Sequence, residues 1–181
     1  MSLPRRATLL PVAATAALLA SGCTGVISKE IATERANLHD SPLELGTEGD
    51  PPASIDLSGA VTIGGDTLPL TDAQRALAAD YRASVIDLTD HVLEGTAKLT
   101  NRAMATALLG AFSGFGDAAE RRIERQAEAM VHSDELCGLL EQVRQRQDRM
   151  VQAVEALRPH ASVSRQDVED CTAGRPYHAG L

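Results

Sequence analysis

Two stripes of apolar residues at helical spacing constrain this chain more than any other feature. Leu77, Tyr81, Val85, Leu88, Val92, Leu99 and Ala103 recur at intervals of three, four or seven. Leu136, Leu140, Val143, Gln147, Met150, Val154 and Leu157 alternate intervals of four and three. Residues so spaced share one face of an α-helix, and the second set forms a heptad-like seam with one polar member, Gln147. Burying each stripe against the other predicts a long antiparallel helical hairpin over 72–109 and 117–158. Gln147 is expected at the edge of the seam, with its amide in water.

The punctuation around the stripes agrees. In Thr71-Asp72-Ala73-Gln74 the Thr71 hydroxyl can accept the third helical amide while Gln74 reaches back to the Thr71 amide, a capping box. Gly110 to Gly116 holds both Phe residues, Phe112 and Phe115, and separates the helices. Asp117 can cap the second helix, His132-Ser133-Asp134 marks a kink or restart near 133, and Pro159 ends helical continuity beyond Arg158.

Ahead of Thr71 the period is two. Ile55 and Leu57, then Val61 and Ile63, then Leu68 and Leu70 alternate with polar residues, with Ser58-Gly59 and Gly64-Gly65-Asp66 placed for hairpin turns. Leu43 to Leu45 can add a strand, and Pro69 makes the last strand an edge. The reading is an α+β fold, mostly α. A small N-terminal antiparallel β-meander (54–70) packs on the hairpin, followed by a tail (159–171). Residues 54–171 form the single domain, 23–53 a short anchor-proximal helix and linker, and 172–181 a flexible C-terminus.

The first 23 residues read as an address. Arg5 and Arg6 precede an apolar run from Ala7 to Ala20, about 14 residues and within the signal-peptide range. That run is too short to span a bilayer, which takes about 20 apolar residues. Ser21-Gly22-Cys23 completes a segment that resembles a bacterial lipobox, although Ala20 stands where Leu is commoner. The expectation is a lipoprotein signal peptide over 1–22, with Cys23 as the acylated residue. Thr24, rather than Asp, follows Cys23, which favours the outer membrane facing the periplasm.

Charge and cysteine content fit export. Removing 1–22 takes Arg5 and Arg6, so 17 basic residues become 15 against 25 acids, a formal charge of −10. Such a chain repels phosphate backbones, so no nucleic-acid partner is expected; the membrane would be reached through lipid. Of the three cysteines, acylation of Cys23 leaves Cys137 and Cys171, expected as a disulfide tethering the tail. Their neighbourhoods carry no zinc spacing.

No catalytic signature occurs: there is no Gly-x-Ser-x-Gly elbow, phosphate-binding loop or His-Glu-x-x-His. Asp87 with His91, and Glu128 with His132, sit one turn apart and read as surface pairs rather than metal ligands. No enzyme, cofactor or metal is therefore expected.

Ala60 to Tyr81, together with Leu136-Cys137, Gln147, Arg158-Pro159-His160-Ala161 and Asp167 to Cys171, resembles the YggN-like family of uncharacterised proteobacterial envelope proteins. The resemblance implies a signal sequence and an envelope location but no settled activity, and His160 stands where an aromatic residue would be expected. Leu70-Thr71-Asp72-Ala73-Gln74 also fits the Leu-Thr-x-x-Gln motif of Spy and CpxP-like periplasmic chaperones. The functional expectation is an outer-membrane-anchored lipoprotein with a non-catalytic structural, adaptor or binding role toward an envelope protein partner. The alternative is a chaperone-like binder of unfolded chains.

Phe112 and Phe115 sit where the helices should reverse, either buried as core or exposed as an interaction surface; burial is the expectation in so aromatic-poor a chain. Replacing both with Ala should then cost several kcal/mol, at about 3–5 per fully buried Phe, measured by chemical denaturation. Unchanged stability with weakened membrane or partner binding would make the segment a contact surface instead.

Overall fold

The computed structural model describes residues 29, 32–46, 50–113 and 116–177, with side chains of 102–113 and 116–120 left aside. Cys23 and Phe115 lie outside the described residues, as does the side chain of Phe112. Residues 32–40 are helical (α1). Strands β1 (Leu43–Leu45), β2 (Ala53–Ile55), β3 (Val61–Ile63) and β4 (Asp66–Thr67) follow. Then come α2 (Asp72–Ser113), α3 (Gly116–Val131), α4 (Asp134–Ala153), a 3-10 turn (Glu155–His160) and α5 (Arg165–Thr172). The chain is mostly helical, with a small antiparallel sheet ahead of the long helices.

The sheet is a meander in the order β1-β2-β3-β4, and it starts at Leu43, earlier than the domain boundary read at 54. Leu45, Ala53, Ile55 and Val61 turn inward and are buried. Leu57, expected on the same face, is 56% exposed. Asp56 explains this: its carboxylate accepts the Ser58 and Ala60 amides at 2.8 and 2.9 Å and bends the chain into a turn just after β2. The last strand is short, Asp66–Thr67 rather than Leu68–Leu70, although the Leu68 amide still reaches the Val61 carbonyl at 2.8 Å. Pro69 follows it on the open edge, as its missing N–H requires.

Gly59 fixes the meander to α2. Its φ of +79° is a left-handed conformation that favours glycine, and a Cβ there would run into the Arg75 carbonyl. The turn thus lies directly on the backbone of α2's first turns.

The helices pair antiparallel, with contacts that keep step along their length. Gln74 Nε2 donates to the Ala153 carbonyl at 2.7 Å, Asp80 faces Arg146 and Arg149 at 3.3 and 3.4 Å, and His91 faces Glu135 at 3.6 Å. Farther out, Gly95 lies against the side chain of Met130 on α3. All seven seam residues from Leu136 to Leu157 are buried. On α2 the match is looser: Tyr81, Val85 and Leu88 are buried, but Ala78 rather than Leu77 enters the core, and Val92 is 37% exposed.

The second helix differs from the continuous 117–158 reading in two places. At His132–Ser133 the chain restarts, with Ser133 extended (φ −69°, ψ 145°) and its hydroxyl accepting the Leu136 amide. At Val154 the α-helix stops and a 3-10 turn carries the seam onward. Pro159 accounts for this, because its ring would clash with the residue 155 carbonyl in a continuing α-helix. The first helix overruns its expected end at 109 and continues to Ser113. Beyond the 3-10 turn, Ser164 and Asp167 form a full capping box for α5, and Cys171 bonds to Cys137 across 34 residues of sequence, with Cα atoms 5.7 Å apart.

The folded unit extends past 171. Arg175 pairs with Asp170, and the Tyr177 hydroxyl donates to the Val131 carbonyl at 3.0 Å. Arg175 and Tyr177 thus tie the exposed segment after α5 back to α5 and α3.

Gly59→Ala should destabilise by about 2–5 kcal/mol, combining a left-handed penalty of about 1–2 kcal/mol with overpacking of about 1–3. Gly65→Ala, at φ +94° with nothing within 4 Å of the added carbon, should show only the conformational part. Urea denaturation of the two variants side by side checks this.

Candidate functional site

The N-terminal segments meet the hairpin at a junction of three elements. Leu43 and Leu45 come from β1, Tyr81 and Val85 from α2, and His160 and Ser162 from the end of the 3-10 turn and the segment after it; together they line a cavity of about 320 Å³. Its aliphatic walls are Leu43, Leu45 and Val85. Its polar lining residues are Glu44, Tyr81, His160 and Ser162, and the Tyr81 and Ser162 side chains are hydrogen-bonded to each other.

Gln147 brings the third wall into place. Its Oε1 accepts the Ser162 and Val163 amides at 2.8 and 3.1 Å, and its Nε2 donates to the Val163 carbonyl at 2.8 Å. The expectation that this residue lies at the seam's edge in water is overturned: it is 2% exposed. Extended backbone at 162–163 supplies what water would have supplied, so the polar interruption becomes a clamp that holds the returning chain on α4. The spacing shows a polar seam residue; its partner lies in a segment with no periodic signal.

His160 stands one seam position past Leu157 and is equally enclosed, at 5% exposed. Its Nδ1 is sealed from solvent and has no hydrogen-bond partner among the described residues. Burial pushes the Tyr81 phenol above its ordinary value, with the neighbouring Ser162 hydroxyl pulling the other way.

The β1 edge adds backbone groups. Hydrogen bonds from Asp56 to Ala60 and from Gly64 to Pro52 place the even-numbered residues of β2 in partnership with β3. Residues 53 and 55 must then bond to Leu45 and Leu43, their partners in β1. Antiparallel alternation therefore turns the Glu44 N–H and C=O away from β2, on the side where no strand pairs with β1 among the described residues.

A second polar cluster fastens α1 above this edge. Arg82, only 9% exposed, donates through one terminal nitrogen to the carbonyls of Leu38, His39 and Ser41 at 3.2, 2.8 and 2.6 Å. It thereby serves carbonyls left over at the end of α1. Asp90 receives Arg35 Nε at 2.9 Å and pairs with His39 at 2.8 Å. The Arg35 contact first, and His39 after it, hold the Asp90 carboxyl below its ordinary range. Nothing in the spacing of Arg35, Arg82 and Asp90 announces this cluster.

The other candidates separate. Thr71 and Gln74 make the reciprocal cap, with the Gln74 amide reaching the Thr71 oxygen at 3.3 Å and the Gln74 carbonyl oxygen accepting the Thr71 amide at 3.0 Å. The unused Gln74 nitrogen is what reaches Ala153. His91 turns to Glu135, while His132 Nδ1 lies 3.1 Å from the Cys171 carbonyl and packs edge-on against Tyr177. Among the described residues no group of three His, Cys, Asp or Glu side chains is placed to hold a metal ion. No helix among them is long and apolar enough to cross a membrane.

Comparison with family models, curated proteins and solved structures returned no match.

Gln147→Leu keeps the seam apolar but leaves two amides and a carbonyl at 162–163 without partners. At about 1–3 kcal/mol for each buried group, the Val163 amide and carbonyl alone should cost the variant about 2–6 kcal/mol. Hydrogen exchange should show the Ser162 and Val163 amides losing protection before the α4 amides do.

Proposed function

We propose that this chain is an exported envelope protein, held at the outer membrane by acyl chains on Cys23, whose hairpin domain has a non-catalytic structural, adaptor or binding role. The observation that carries the reading is the Cys137–Cys171 bond: both residues are buried, at 5% and 0% exposed. A disulfide built into the core of a small domain suits an oxidising compartment rather than a reducing cytosol. It also uses two of the three cysteines, leaving the one in the lipobox-like sequence to react with lipid.

The domain is suited to such a role by construction. One long helical hairpin carries a small sheet near one end, and a disulfide loop secures the tail to the same helix that fills the core. Closing a loop of this length contributes about 3–4 kcal/mol in the chain-entropy account. The Leu-Thr-x-x-Gln sequence is fully occupied by the cap and the Gln74–Ala153 bond, so it adds no support to the chaperone-like alternative.

Acylation and oxidation are separable in one experiment on the full chain expressed in a Gram-negative host. The wild type should fractionate with membranes, because each buried methylene of an acyl chain adds about 0.8 kcal/mol. Cys23→Ser should accumulate as an unprocessed precursor. Peptide mapping without reductant should recover Cys137 linked to Cys171 in the wild type. A Cys23→Ser chain that is cleaved and released soluble would defeat the lipid anchor, and freely alkylated Cys137 and Cys171 would defeat the oxidised envelope setting.

A further inference from the structure

Polar contacts hold α1 on the domain. Within 32–40 no residue is buried, and Leu38 is the single apolar residue that is even half-buried. Two residues of α2 grip it. Arg82 donates to the Leu38, His39 and Ser41 carbonyls, and Asp90 receives Arg35 and pairs with His39. Residue 35 thus meets 90 while residues 38–41 meet 82, so α1 lies antiparallel to α2. Arg82, Ile86 and Asp90 recur every four residues and share one face of α2. Ile86, between the two grips, is 4% exposed but does not belong to the main core cluster, and neither does any residue of α1.

We propose that α1 is a strap, hinged at Arg82 and latched at Asp90, that opens while the core beneath it stays folded. The two grips are unequal. Arg82 is 9% exposed and its three bonds are charge-assisted, which makes them the stronger set. At Asp90 the partner side chains are 42% and 53% exposed for Arg35 and His39, and ion pairs so exposed are weak and screened by salt. Opening therefore starts at the Asp90 end. A helix as short as α1 is marginal in water without a partner, so its first turns unwind once the latch is lost. The core does not follow, because Tyr81, Val85 and Leu88 pack with the α4 seam and not with α1. Local opening below the global unfolding free energy is what such an arrangement gives.

The latch sets where the N-terminal segment leaves the domain. Closed, the chain leading back to Cys23 departs beside Asp90. Open, it departs at the hinge beside Arg82, eight residues nearer the sheet along α2, or about 12 Å at 1.5 Å per residue. The free segment also grows, from the 12 residues between Cys23 and Arg35 to the 15 between Cys23 and Leu38. That adds at most about 10 Å of extended chain. In an acylated chain the latch thus sets the reach and tilt of the domain above the membrane. This consequence rests on the lipid anchor proposed at Cys23, whereas the opening of the strap does not.

Native-state hydrogen exchange on the full chain, at one pH, tests the strap whether or not Cys23 carries lipid. The amides of 36–38 should exchange at least about tenfold faster than those of 82–90, and faster again at about 1 M salt, where screening reaches down to about 3 Å. Asp90→Asn removes the carboxylate while keeping its shape, and Arg35→Gln removes the partner charge from an exposed position. Each should speed exchange at 36–38 at least about threefold and leave both the 82–90 amides and the midpoint of cooperative unfolding in place. Exchange at 36–38 in step with 82–90 overturns the proposal, and so does equal exchange in the wild type and both variants. For the membrane consequence, neutron reflectometry compares acylated wild type with acylated Asp90→Asn on a phosphatidylcholine bilayer. The variant's protein layer should extend farther from the bilayer; identical profiles overturn the role of the latch in the tether.

Discussion

The structure depends on α4 having more apolar face than one neighbouring helix can cover. Its seam from Leu136 to Met150 is buried along its whole length, and α2 shields only one side. The returning chain, held by Gln147, and α5, bonded through Cys137, close the others. The sheet in turn needs α2 already in place, because the Gly59 turn rests on the Arg75 backbone. The sheet turn, the returning chain and α5 are thus each attached through a group whose partner is backbone or sulfur. In a chain with two Phe, two Tyr and no Trp, directional attachments take over what bulky anchors do elsewhere.

Much of this was legible because side-chain period reports the face of an element directly. The α4 seam was readable residue by residue, the meander and the Thr71–Gln74 cap followed from local signals, and the cysteine pair followed from the cysteine count. The α2 stripe was less accurate. Close contact with the sheet favours Ala78 over the neighbouring Leu77, and past Thr89 the described residues are at most half-buried. What could not be read depends on partners distant in sequence. Gln147 looks like a blemish until residues 162–163 arrive beside it, and Arg82 looks like a solvated charge until the end of α1 presents its carbonyls. The break at Val154 was misplaced because the steric reach of Pro159 is one helical turn upstream, not at the proline itself.

The contrast between Gln147 and His160 shows why burial alone does not tell whether a polar seam residue is satisfied. Both sit on the same stripe at almost the same exposure. The difference lies in whether the protein completes their hydrogen bonding. Gln147 is finished by its own chain, whereas the sealed His160 Nδ1 has no partner among the described residues.

The Cys137–Cys171 bond has a further topological effect. It closes residues 137 to 171 into a covalent ring that contains α4 from Cys137 onward, the Gln147 clamp, and both His160 and Ser162. The other cavity residues, on β1 and α2, lie wholly outside that ring. The cavity is therefore a seam between two mouldings, and a slight parting of α2 from α4 would widen it while each half keeps its own shape.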